Sequence, residues 1–262
     1  MMNRAFFRYV GFGVLALVVA PWTAAAQARG RGAAPAAPPT PKAQAPVDLT
    51  GYWVSVVTED WRYRMVTAPK GDHPGLPLNA EGNRVANAWD PAKDEAAGEQ
   101  CKAYGAGGVM RAPGRLHITW DGDDVMKLET EAGTQTRIFR FGAAPAASGE
   151  ATWQGTSAAQ WEMAGGGRGR GRGAPSGGDL KVVTTHMKPG YLQKNGVPYG
   201  ANAVLTEYFA RTSEPNGDTW LIVTHVVDDP QYLTTPLIRS THYKKLPDTA
   251  ASQWTPEACS AR

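Results

Sequence analysis

The chain has no apolar run long enough to cross a bilayer as a helix. Its longest, residues 10–20, is about a dozen residues, against the roughly 20 that a spanning helix needs. No Cys follows that run, which argues against a lipid-anchored start. There is no Gly-x-Ser-x-Gly elbow, phosphate loop or dinucleotide fingerprint, and neither His-Glu-x-x-His nor His-x-x-Glu-His occurs. The common hydrolase, nucleotide-binding and zinc-protease chemistries therefore have no motif to rest on. "GAGG" at 105–108 opens no helix-forming stretch and so makes no phosphate cradle. "DGDD" at 121–124 lacks the ligand spacing of a calcium loop. Cysteine is scarce, with Cys101 and Cys259 alone, and the first 46 residues contain no acidic side chain.

That last absence distorts the charge. The formal net charge is +3, with 27 basic and 24 acidic side chains. Five of the basic residues lie in positions 1–46 and three more, Arg168, Arg170 and Arg172, in a Gly/Arg tract. Setting those eight aside leaves 19 basic against 24 acidic, a net of −5 on the part expected to fold. Such a body offers no footprint for nucleic acid.

Residues 1–28 read as a secretory signal peptide. Arg4 and Arg8 precede the apolar run, and Ala-x-Ala patterns follow at 24–26 and 26–28, with cleavage expected after Ala28. An uncleaved anchor is the alternative. After cleavage no membrane span remains, and the expected location is periplasmic or secreted. Residues 29–46 are rich in Pro and Ala and read as an extended linker. In an exported protein Cys101 and Cys259 are expected to bridge, tying the tail 247–262 back to the body.

Residues 47–246 alternate apolar and polar side chains between turn residues, the pattern of β-strands. Strands are expected at 51–58, 62–67, 115–120, 125–130, 134–141, 152–162, 180–187, 203–211, 219–227 and 237–245. Short turns join several of them, including Asn216–Gly217, a strong hairpin signal. A helix is expected after the N-cap Asn79, with Glu81 in its first turn and Pro91 stopping it, and a weaker one at 92–100. The Gly/Arg tract 164–178 reads as a low-complexity, disordered loop. Together these predict an all-β fold with one or two short helices: an antiparallel β-barrel, with a two-sheet β-sandwich as the alternative.

Gly51 and Trp53 stand at the opening of the first strand, with the indole on the inward face. This resembles the lipocalin opening, in which a basic side chain from the last strand covers the Trp; Arg239 is placed to try. The lipocalins' second motif, Thr-Asp-x-Tyr, is absent. A longer resemblance runs through most of 47–246. Cys101, Met110, Pro113, Trp153, Gly155, Ser157, Trp161, Glu162, Asp229, Pro230, Tyr232 and Pro236 stand in order. They are similar to the motif series of a large group of exported bacterial β-rich proteins of unknown function. Tyr208, where Arg is common, and Leu233 depart from that pattern. The resemblance implies a secreted, lipocalin-like β-domain and no particular activity.

The candidate ligand-binding residues are Trp53, His117, Trp120, His186, Glu207 and His225, polar and aromatic side chains on strands that could line a barrel. The leading expectation is a small apolar or amphipathic ligand, with no cofactor. A structural or protein-interaction domain with a filled core is one alternative. The other is a metal-dependent enzyme built on His117, His186, His225 and His242, with Glu207 as a further ligand. Asp228 and Asp229 point to opposite faces and make no carboxylate pair; Asp229 before Pro230 reads as a turn starter. Oligomeric state stays open.

Overall fold

The computed structural model describes residues 38–142, 149–163 and 177–262. Eleven strands lie among them. These are β1 (Gly51–Val56), β2 (Arg115–Trp120), β3 (Val125–Thr130), β4 (Gln135–Phe141), β5 (Thr156–Met163) and β6 (Gly178–Thr185), then β7 (Gly190–Gln193), β8 (Val197–Tyr199), β9 (Val204–Ser213), β10 (Thr219–Asp228) and β11 (Leu237–Lys245). Nine of them close a barrel in the order β1-β11-β10-β9-β6-β5-β4-β3-β2, while β7 and β8 form a separate two-stranded sheet. The expected barrel is present and the sandwich is not. One correction concerns direction: β4 and β5 pair in parallel, so the barrel is mixed. The connection between them, residues 142–155, is long enough to recross the barrel, as a two-residue turn could not.

The short helices are α1 (Trp61–Arg64), α2 (Ala80–Ala88), α3 (Pro91–Ala96) and α4 (Ala106–Val109). Stretch 62–67, expected as a strand, holds most of α1. The N–H of Arg64 finds the Asp60 carbonyl and that of Met65 finds Trp61, closing a single turn. α2 starts as expected, its Asn79 side chain accepting from the Gly82 N–H at 2.9 Å. Pro91 both ends α2 and takes the first position of α3, where its missing N–H is no loss. No helix among the described residues is long and apolar enough to cross a membrane.

The helices belong to one long excursion, residues 57–114, and β7–β8 to another, residues 186–203. Both leave and re-enter the barrel at the same end, called here the helical end. The other end carries Gly51 and Trp53. Glycines let the two excursions interlock. The Tyr199 ring lies over Gly105 and Gly107, where a Cβ at Gly105 would stand 2.2 Å from its hydroxyl. That packing is the use of "GAGG". Gly196, at φ +87, lies against Trp89 in the same way.

At the Trp53 end, residues expected as the last part of the linker fold against the barrel. The Trp161 indole donates to the Pro41 carbonyl at 2.9 Å, and the Lys42 N–H donates to Asp123 at 3.0 Å. Inward Trp120, Phe141 and Trp161 form an aromatic rim there that this segment covers. The compact unit accordingly begins at Pro39 rather than at 47. Gly178, expected as the end of the Gly/Arg loop, is already the first residue of β6. The signal peptide 1–28, linker residues 29–37 and loop residues 164–176 lie outside the described residues.

Cys101 and Cys259 form the expected disulfide, with Cα atoms 5.1 Å apart. The tail is also tied by hydrogen bonds. Thr255 N–H donates to the Glu131 carboxylate and Glu257 N–H to the Glu131 carbonyl, each at 2.8 Å.

Candidate functional site: a cleft at the helical end

Three of the six candidate ligand residues face the barrel interior, and two of them, Glu207 and His225, touch there. Trp53, Glu207 and His225 all face inward and are buried. Trp120 also faces inward, at the rim of the Trp53 end. His117 does not join them. It stands on the outer wall, stacked on Tyr52 with centroids 4.1 Å apart and 3.3 Å from Glu129. Nor does His186, which lies just past the end of β6 at φ +56, its Nε2 3.1 Å from the Gly149 carbonyl. His242 is on the outer face, beside Glu59 at 3.2 Å. The four histidines therefore do not converge, and no cluster of three metal-ligating side chains occurs among the described residues. Alternation assigned a face within each strand; the barrel sets those faces apart.

The barrel axis is filled. Trp53, Leu128, Phe139, Leu180, Phe209, Leu221 and Tyr243 are fully buried in one contacting cluster. Arg239, expected over Trp53, is six residues from the strand end that could reach it; its Nε sits 3.4 Å from Asp60 at the helical end. Lys245 covers the indole instead, 4.7 Å from the ring centroid.

Toward the helical end the interior turns polar. Arg137 and Glu207, both fully buried, form a two-pronged ion pair, with one N–H···O distance of 2.8 Å. His225 places Nδ1 3.2 Å from Glu207 and Nε2 2.9 Å from the Thr241 hydroxyl. A carboxylate only accepts, so the proton sits on Nδ1 and Nε2 accepts from Thr241. Ser157 and Thr184 continue the network at 2.8 Å. Burial alone would raise the Glu207 carboxyl, but Arg137 and His225 outweigh it and hold it at about 2. Burial pushes His225 down, against the opposing pull of Glu207. The arrangement is a buried ion pair with a neutral histidine in attendance, in which Arg137 Nε alone keeps no partner. Arg137 is the member that the sequence reading missed.

The space available to a ligand lies outside the strands of the barrel. A cleft of about 660 Å³ opens at the helical end. One wall runs from Tyr63 to Thr67 and a second from Arg111 to Gly114, with Tyr104 behind it. Leu192 to Lys194 and the tail residues Glu257 and Arg262 complete it. The volume is in the range of small-molecule sites. Arg64 donates through Nε to the Arg111 carbonyl at 3.0 Å and pairs with Glu59. Arg111 donates to Asp60 at 2.7 Å. Each guanidinium keeps one buried nitrogen without a partner, Nη2 on Arg64 and Nη1 on Arg111. Burial, with Arg64 and Arg239 nearby, pulls the Arg111 pKa down.

The lining carries four basic side chains, Arg64, Arg111, Lys194 and Arg262, against one acidic side chain, Glu257, with Lys194 donating to the Arg262 main-chain oxygen and an apolar side made by Met65, Val66, Ala112 and Leu192. It holds no His, Cys, Ser or Asp. The disulfide ties two of its walls together, because Cys101 precedes Tyr104 and Cys259 lies between Glu257 and Arg262. No family model, curated protein or solved structure matches the chain.

Proposed function

We propose that the chain is an exported binding protein, periplasmic or secreted, whose ligand is a small amphipathic anion seated in the helical-end cleft. The observation that carries this is the cleft's lining. Two guanidinium groups with unused donors stand beside an apolar wall, which suits one molecule bearing both an anionic and an apolar part. Arg presents a planar fork that fits carboxylate, sulfonate or phosphate oxygens. The signal-like start and the disulfide support export.

Titration with anilinonaphthalene sulfonate, an anionic amphipathic fluorophore, tests the proposal. Arg111→Ala should weaken binding by roughly tenfold, the loss of one charge-assisted hydrogen bond. Lys127→Ala, on the outer wall, should leave it unchanged. Equal affinity of Arg111→Ala and the parent would remove the cleft as the site.

A second reading has its own support. The packed interior with its Arg137–Glu207 pair favours a structural or protein-interaction domain. Native mass spectrometry of protein purified from its own host separates the two. A co-purifying anionic molecule that Arg111→Ala loses favours the carrier, and its persistent absence favours the filled-core domain.

A further inference from the structure

The cleft holds an unpaired acceptor as well as unpaired donors. Gln193, at the end of β7, lines it, and its buried Oε1 has no hydrogen-bond partner. The fold fixes this side chain's wall. The β7–β8 register shifts between Tyr191 and Gln193, and Gly196 turns the hairpin at φ +87. The Asn195 side chain then donates to the carbonyls of Pro69, at 3.2 Å, and Asp72, at 2.9 Å, pinning the hairpin to the segment after α1. The donors are fixed through Asp60. Its carbonyl accepts from the Arg64 N–H at 3.1 Å, in the turn that carries Arg64. Its carboxylate accepts from Arg111 Nη2 at 2.7 Å. Arg64 Nη2, Arg111 Nη1 and Gln193 Oε1 are left over, and all three belong to residues lining one cleft. Buried polar atoms are nearly always paired, so three such atoms around one cleft mark a place where a bound molecule supplies the partners.

We propose that the cleft's ligand is an N-acyl amino acid: a carboxylate for the two guanidinium groups, an amide N–H for Gln193 Oε1 and an acyl chain for the apolar side. This rests on the reading of the cleft as an anion site and names the class of anion. Charge and apolar surface alone leave Gln193 unexplained. A plain fatty acid or alkyl sulfonate answers the arginines and the side made by Met65, Val66 and Leu192, but leaves the Gln193 oxygen buried and unpaired. A second carboxylate on the ligand is no better, since one acceptor repels another. The missing partner is a donor carried by the ligand itself. An N-acyl amino acid bears its N–H on the carbon that carries the carboxylate, and its apolar chain begins on the far side of that nitrogen. Discrimination of this kind is steep, because a ligand without the donor leaves the site's acceptor unpaired.

Isothermal titration of the full chain with N-decanoylglycine and N-decanoylsarcosine, each below its micelle concentration, tests it. The two differ only in a methyl group that replaces the N–H. The parent should bind the glycine compound roughly tenfold more tightly, the worth of one hydrogen bond to a buried acceptor. Gln193→Met should remove that preference by weakening the glycine compound to the level of the sarcosine one, while affinity for anilinonaphthalene sulfonate stays that of the parent. Arg111→Ala should weaken both acyl compounds alike. The two ligands are compared on the parent itself, so a Gln193→Met chain that fails to fold leaves the first readout standing. Equal affinity of the parent for both compounds would overturn the proposal, as would a preference that Gln193→Met retains, or binding of the fluorophore but of neither acyl compound. Each of those results leaves the anion reading of the cleft in place. Fluorophore binding that Arg111→Ala does not weaken removes that reading and this proposal together.

Discussion

Lys245 stands directly across the β1–β11 ladder from Trp53 and lays its ammonium over the indole, 4.7 Å from the ring centroid. The same ammonium donates to the Thr50 carbonyl. Gly51 makes this possible. A Cβ there would lie 2.5 Å from Lys245 Nζ, and its φ of +97 is one that side chains rarely adopt. The glycine, the tryptophan and the last-strand lysine are thus one unit. Trp53→Ala should destabilise the fold by about 3–5 kcal/mol. Gly51→Ala should cost about 1–3 kcal/mol through backbone strain, and Lys245→Met about 1 kcal/mol. Urea unfolding with unchanged slope reads all three.

The Arg137–Glu207 pair should behave asymmetrically. Arg137→Met alone strands a buried carboxylate, and Glu207→Leu alone strands a buried guanidinium. Each should cost about 3–5 kcal/mol. The double variant should recover most of that loss, because neither charge is then left buried. A double-mutant cycle in urea measures the coupling. Additive losses would mean that the two residues do not act as a pair.

Acid should weaken the fold in two stages. The His225 pKa is lowered by folding, so its contribution is complete above the ordinary value near 6.5 and declines as pH falls below it. Glu207 is lowered from 4.5 to about 2, so its contribution is complete above 4.5 and is lost as pH falls toward 2. The urea midpoint should therefore drop from neutral pH downward. Glu207→Gln should flatten the lower stage, and His225→Gln the upper one.

The disulfide closes a sequence separation of 158 residues. Loop entropy for that length gives about 5 kcal/mol at most, and the usual range is 2–4 kcal/mol. Cys101→Ser/Cys259→Ser should lower stability within that range. It should also loosen the cleft, because Glu257 and Arg262 lose their covalent tie. Weaker binding of the fluorophore at a temperature where the variant is still folded checks the second effect.

Much of the barrel was legible in the sequence. The spans 115–120, 125–130 and 237–245 coincide with β2, β3 and β11, because period-two alternation ended at clear turns. The disulfide followed from compartment and count. The stretch 62–67 misled because six alternating residues fit a single helical turn as well as a strand. β7 and β8 were missed although Asn195–Gly196 marks their hairpin, its glycine at φ +87. The site was far less legible. In "TRIFRF", alternation groups Arg137 with Phe139 but does not say which face turns inward. Arg64 and Arg111 are 47 residues apart in the chain, and only packing of the excursions brings them together.

The seam between β4 and β5 has a consequence for parity. Nine is an odd number, and strands that simply alternate up and down around a ring can close only in even counts. One neighbouring couple had to run the same way, and the parallel β4–β5 pair is where the count is reconciled. Any variant of this architecture that closes with eight or ten simply alternating strands must therefore give that seam up.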